Sequence, residues 1–147
     1  MARRGFEQLK VWRRAMDVVA AAYRFTAVLP AEEKSGLSAA MRRSASVIPT
    51  AIADAWGRPG REALSKAVED AFATLREMQT QVRIAQRLRY VNWMRSRRLS
   101  RSMSRLEDEL IDLADRLEAQ EAADRAGEAA RKVPSPRPKP LPARKAA

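Results

Sequence analysis

Residues 61–90 read REALSKAVEDAFATLREMQTQVRIAQRLRY, and the reading of this stretch decides the fold. Leu64, Val68, Ala71, Leu75, Met78, Val82 and Ala85 recur at alternating spacings of three and four, which gathers them into one stripe of a 3.6-residue helix. Charged and amide side chains fill the opposite positions, so the segment predicts an amphipathic helix with one buried face. The spacing returns downstream at Leu99, Met103, Leu106, Leu110, Leu113 and Leu117, and upstream at Phe6, Leu9, Trp12, Met16, Val19, Tyr23 and Thr26. No stretch alternates apolar and polar residues as a half-buried strand would.

Proline and glycine mark the joints, because proline forbids an interior helical hydrogen bond and glycine loosens the backbone. Breaks fall at Leu29-Pro30, at Gly57-Arg58-Pro59-Gly60, around Tyr90 to Met94, and from Gly127 onward. They delimit four helices over about 6–28, 37–56, 61–90 and 95–126. Pro49 lies inside the second, and since an interior proline costs about 3 kcal/mol, a kink is expected near Ser46. Short connections between helices of similar length favour antiparallel neighbours, so the fold class is all-α, an up-down-up-down four-helix bundle over residues 1–126. At 147 residues the chain is sized for one such core. Residues 127–147 are a different material. Pro134, Pro136, Pro138, Pro140 and Pro142 are interleaved with Lys and Arg, and the stretch has too little apolar surface to offset its ordering entropy, so a disordered, partly polyproline-II tail is expected.

Composition narrows the chemistry. The chain has 29 Lys plus Arg against 18 Asp plus Glu, a formal charge of +11, which makes polyanions the first partners to consider. It has no Cys and no His, which removes thiolate nucleophiles, imidazole bases, disulfides and nearly every zinc, haem or iron–sulfur site. With 5 Gly, no window matches GxGxxG or GxxxxGK[ST]. Asp108, Asp112 and Asp115 share a helical face, yet a di-iron or di-manganese bundle needs Glu-x-x-His pairs, and no second constellation supports a metal. The reading is a non-enzyme with no cofactor and no metal. Asp17 and Arg24 interrupt the first apolar stretch, so neither a membrane span nor a secretory segment is expected, and the chain reads as cytoplasmic.

Charge is sorted along the chain. Between Met78 and Leu106 stand eight arginines, Arg83, Arg87, Arg89, Arg95, Arg97, Arg98, Arg101 and Arg105, and no carboxylate. From Glu107 to Asp124 the sign inverts, with eight acids and only Arg116 opposed. One reading of the arginine run is a solvated face with cations placed well at a helix C-terminus. The other is a phosphate-contacting patch, since guanidinium forks match phosphate oxygens and release counterions. The lack of interleaved acids favours the patch, because surfaces under no such demand mix both signs. Tyr90 and Trp93 lie inside the run, as bundle-closing anchors or as platforms for an unpaired base. Arg42 and Arg43 are adjacent, so both cannot face a core, and both are candidates for a basic groove. The acidic stretch is either a solubilising face or the complement to the arginine face of a second copy, a head-to-tail contact that closes rings.

Several motifs resemble a known family. Phe6-Glu7-Gln8-Leu9-Lys10-Val11-Trp12, then Tyr23, Thr26, Leu29-Pro30, Glu33, Gly36-Leu37, Arg42-Arg43-Ser44-Ala45, Ile48-Pro49 and Ile52-Ala53 are similar to the bacterial four-helix proteins encoded in intervening sequences of large-subunit ribosomal RNA genes. Leu75-Arg76-Glu77, Arg83-Ile84-Ala85 and Leu88-Arg89-Tyr90-Val91 also resemble the related accessory variability determinant (Avd) proteins of diversity-generating retroelements. The chain departs from the first group at Ala51-Ile52-Ala53-Asp54-Ala55 and Ala73-Thr74, where glycines are usual, and from the second at Leu113-Ala114-Asp115-Arg116-Leu117, where a Gly-Trp motif is usual. The resemblance covers about residues 6–118 and implies a ring-shaped homopentamer. In the retroelement branch it implies an accessory subunit that holds template RNA and a reverse transcriptase together. The expectation is therefore a self-associating, RNA-binding bundle, RNA rather than DNA, with a non-catalytic protein scaffold as the alternative.

Overall fold

In the computed structural model, which describes residues 5–132, the described chain is helical throughout, with no strand. A 3-10 turn, Phe6–Gln8, leads into α1, Lys10–Thr26. A second 3-10 turn, Ala31–Glu33, precedes α2, Leu37–Gly57, and then come α3, Glu62–Arg87, and α4, Trp93–Lys132. Each helix packs on two neighbours, in the closed order α1, α2, α3, α4. Contacts across the seams fix antiparallel directions: Thr26 with Arg42, Ser44 with Glu77, Arg61 with Asp124, and Lys10 with Glu109. Met41, Ile48, Ile52, Leu75, Met78, Leu99, Met103, Leu106 and Leu110 are fully buried at the centre.

The apolar stripe of α3 is buried at every expected position. That of α1 is displaced by one residue. Val11, Ala15, Val18, Ala22 and Phe25 face the core, while Met16 and Tyr23 are 41% and 46% exposed. The large side chains drew the sequence reading, whereas the helix buries its alanines, whose small size brings the neighbouring backbones close.

The helix ends also differ from expectation, each for a local reason. The first helix starts at Lys10 rather than 6 because Leu9 is extended, and Arg13 holds the preceding turn by donating to the carbonyls of Glu7 and Gln8 at 3.0 and 3.2 Å. Its last residue, Thr26, turns its hydroxyl onto the Ala22 carbonyl at 2.9 Å. The second helix continues as one element through the buried Pro49, one turn after Ser46. Burying Met41, Ile48 and Ile52, at about 1.5–3 kcal/mol each, outweighs the roughly 3 kcal/mol of an interior proline. Gly60, at φ 84°, reverses the chain into α3 in a conformation other residues avoid. The fourth helix begins at Trp93 rather than 95, because the Asn92 carboxamide accepts the Arg95 N–H at 2.9 Å as an N-cap.

At its other end α4 continues to Lys132 instead of giving way to a tail at 127. Alanine-rich composition and the i,i+4 ion pairs Glu121–Arg125 and Glu128–Lys132 carry it past Gly127. Its 40 residues span about 60 Å, against about 26 Å for α1, and Leu117 is its last buried residue. Residues 118–132 are exposed along their whole length, and as far as Asp124, which pairs with Arg61, they lie beside the start of α3. The expected proline-rich tail lies, from residue 133, outside the described residues.

One side chain closes the opposite end. Glu33 accepts the Leu37 N–H at 2.9 Å on Oε2, capping α2, and accepts the Tyr90 hydroxyl at 3.0 Å on Oε1. A Cβ at Gly36 would meet that carboxylate at 2.7 Å, so the glycine makes room for the cap. The hydrogen bond to Glu33, then desolvation, then the negative charges of Glu33 and Glu32 raise the Tyr90 pKa above the ordinary tyrosine value. A phenol whose folded pKa exceeds its unfolded one stabilises the fold fully below the unfolded value, near 10, and loses that contribution as pH rises through the folded one. Urea melts should therefore show stability falling above about pH 10, and Tyr90→Phe should be less stable at neutral pH while lacking this part of the alkaline fall.

Candidate nucleic-acid interface

The antiparallel bundle collects the basic residues at one end. There α3 finishes, α4 starts, and Arg24 of α1 and Lys34 and Arg43 of the α1–α2 region lie close by in the topology. All eight arginines of the run are exposed, and none makes an ion pair among the described residues. For Arg83 and Arg87 the α3 macrodipole is favourable, since its C-terminus attracts cations. For Arg95, Arg97 and Arg98 the sign is reversed: they occupy the first two turns of α4, whose first turn holds no acid, and crowd cations onto a positive helix end. Local helix stability accounts for the α3 half of the run and not for the α4 half.

Arg89 carries a second cost. It sits at φ 58°, just past the end of α3, in the left-handed position usually held by glycine. Tyr90 N–H reaches the Ala85 carbonyl at 2.9 Å and Arg89 N–H reaches that of Gln86 at 3.0 Å, the paired bonds of a Schellman turn.

The structure divides the remaining candidates. Arg42 is engaged within the fold: its Nε donates to the Thr26 hydroxyl at 2.8 Å, and its guanidinium lies 4.5 Å over the Tyr23 ring. Arg43 is exposed. Tyr90 is a half-buried anchor tied to Glu33, whereas Trp93 is 66% exposed beside Met94 at 67%. The eight arginines do not form one patch. Arg83 lines a groove between α3 and α4 with Gln86, Ser100 and Ser104, and with Arg87 it flanks exposed Ile84 and Leu88 on the outer face of α3. Arg98 and Arg105 turn to the other side of α4, into a cleft against α1.

That cleft holds two residues absent from the sequence-based candidates, Arg14 and Arg24. They belong to the row Arg14, Asp17, Ala21, Arg24, at offsets of three, seven and ten along one helix face. The signal was in the spacing, but it becomes a basic cleft only when α4 is known to pack alongside with Arg98, Ser102 and Arg105.

The other end of the molecule is acidic. Along α4 from Glu107 to Asp124, Glu109 pairs with Lys10 at 2.8 Å and Asp124 pairs with Arg61. A cleft of about 820 Å³ opens here, lined by Leu9, Trp56, Leu64, Leu113 and Leu117 together with Asp112 and Asp115. Among the described residues no group of three or more acids is placed to hold a metal ion, and no helix is long and apolar enough to cross a membrane.

Arg89→Gly should relieve the left-handed backbone and raise stability by about 1 kcal/mol, read as a higher urea midpoint at unchanged m-value. An unchanged midpoint would show that the arginine makes compensating contacts.

No curated protein matches the chain significantly. A family model does: that of the 23S rRNA-intervening sequence protein matches residues 7–112, from the first 3-10 turn through the buried part of α4 as far as Leu110. This match covers most of the chain and all four helices of the packed body, and the chain belongs to the 23S rRNA-intervening sequence protein family.

Proposed function

We propose that this bundle is an RNA-binding protein that self-associates and holds RNA through its arginine-rich end. The observation that carries the reading is a set of eight exposed arginines, free of ion pairs among the described residues, of which Arg95, Arg97 and Arg98 stand against the α4 dipole and Arg89 holds a left-handed backbone. A destabilising single-sign field is explained when a polyanion occupies it. Contact is with phosphates and shape. No paired-aromatic sheet stands among the described residues to read bases, Gly57-Arg58-Pro59-Gly60 joins α2 to α3 at the opposite end from the arginines, and exposed Trp93 is available to stack an unpaired base. In its narrower form the held RNA is a template and the partner a reverse transcriptase; this form rests on the resemblance of residues 75–91 to retroelement accessory proteins. A protein scaffold is the second reading, favoured by Ile84, Leu88 and Met94 standing exposed among the arginines.

Binding of the full chain to a structured RNA across a salt series separates the two. Each neutralised phosphate contributes about 0.7 to the log–log slope on a single strand and about 0.9 on a duplex. Changing Arg95, Arg97, Arg98 and Arg101 together to Ala should weaken binding at least tenfold and lower the slope by about 2 to 3. Absence of wild-type binding at low salt would leave the scaffold.

Self-association belongs to the same proposal. The arginine end and the acidic stretch that follows it along α4 are complementary in charge, as head-to-tail contacts between protomers need. Sedimentation should show a species of about five protomer masses that dissociates with rising salt, and a monomer at micromolar concentration would exclude the ring.

A further inference from the structure

We infer that the cleft between α1 and α4 is a subsite for the sugar–phosphate chain of single-stranded nucleic acid, a deepening that rests on the RNA-binding reading above. The cleft, about 290 Å³, is lined by Arg14 and Arg24 from α1 and by Arg98, Ser102 and Arg105 from α4. Because the helices are antiparallel, Arg14 lies across from Arg105 and Arg24 across from Arg98, one pair at each end of the furrow. Ten residues separate the arginines on α1 and seven separate them on α4, so the pairs stand about 10–15 Å apart along the seam. At about 3.4 Å per stacked step, that span matches three to four nucleotides of one strand.

The floor and the volume set the class of ligand. Ala20 and Ala21 line the furrow between the arginines, and their methyl groups leave the space open for a chain to settle against the helix. The cleft is a furrow over the seam of two packed helices, and its volume of about 290 Å³ is on the scale of a few backbone units of one strand. Ser102, half-buried between Arg98 and Arg105, adds a hydroxyl donor of the kind that commonly meets phosphate oxygens.

The charge is unbalanced within the cleft. Four guanidiniums converge on it, and Asp17 is the one carboxylate among the lining residues, 3.8 Å from Arg14. Arg24, Arg98 and Arg105 are exposed and have no ion-pair partner among the described residues. Like charges gathered in one furrow repel, and a chain of phosphates threaded between them reverses the sign of that interaction. Asp17 in turn repels an incoming phosphate and limits its affinity.

The test uses the full chain and a fluorescein-labelled dodecauridine, followed by anisotropy over a salt series, with circular dichroism to confirm that each variant is folded. Arg24→Gln with Arg105→Gln should weaken binding at least tenfold and lower the salt slope by about 1.4. Arg87→Gln with Arg101→Gln removes the same charge outside the cleft and should cost about threefold. Asp17→Asn should tighten binding about two- to fivefold, a gain that a damaged fold cannot produce. Equal losses from the two double variants, or no gain from Asp17→Asn, would overturn the cleft while the RNA-binding reading stands. If wild type binds neither the dodecauridine nor a structured RNA, that reading fails and the cleft falls with it.

Discussion

The carboxylate of Glu33 fixes the end of the bundle from which most of the positive charge projects. One oxygen caps α2 through the Leu37 N–H and the other receives the Tyr90 hydroxyl, so a residue before α2 holds the turn that joins α3 to α4. Gly36 leaves the space this requires. With that turn set, the last turns of α3 and the first of α4 have one geometry, and the arginines on them project from rigid helices. Their backing is equally fixed, since Leu99, Met103 and Leu106 are fully buried directly beneath. Phosphate recognition profits from such preorganisation, because a guanidinium held on a rigid helix loses less freedom on binding than one on a loop.

Stability and charge pull against each other at this end. Arg89 occupies a backbone conformation that glycine tolerates better, and Arg95, Arg97 and Arg98 face the positive end of the α4 dipole. Asn92 meets only part of that strain, through its bond to the Arg95 N–H. The acidic half shows the opposite economy: its carboxylates find Lys10, Arg61 and Arg125 within the same protomer. Three of the eight acids from Glu107 to Asp124 are paired within the protomer, whereas none of the eight arginines is paired among the described residues.

Much of this was legible in the sequence, and where it was not, the cause is physical. The α3 stripe was read residue by residue because large apolar side chains mark it and a single face is buried. The α1 stripe was misplaced by one position, since Ala15 and Ala22 carry little hydrophobic signal while Met16 and Tyr23 carry much and face outward. Pro49 costs α2 an interior hydrogen bond, yet the helix continues through it beside buried Ile48 and Ile52. The arginine run was visible as a run. Its division between the α1 side and the α3 side of α4 was not, because that depends on which neighbour lies against each face. Arg42 likewise read as a basic-groove residue until Thr26 and Tyr23 were found to hold it.

The length of α4 joins these observations. A helix needed only to complete the bundle would end near Leu117, its last buried residue, yet it continues fifteen residues further with every side chain exposed. The extension, about 22 Å long, carries Glu118, Glu121 and Asp124 in its first turns, where Asp124 pairs with Arg61 at the start of α3. In the proposed ring, this acidic length of α4 is the face that meets a neighbouring arginine end. On that proposal, ring closure and RNA binding draw on the same arginines, and rising salt weakens both.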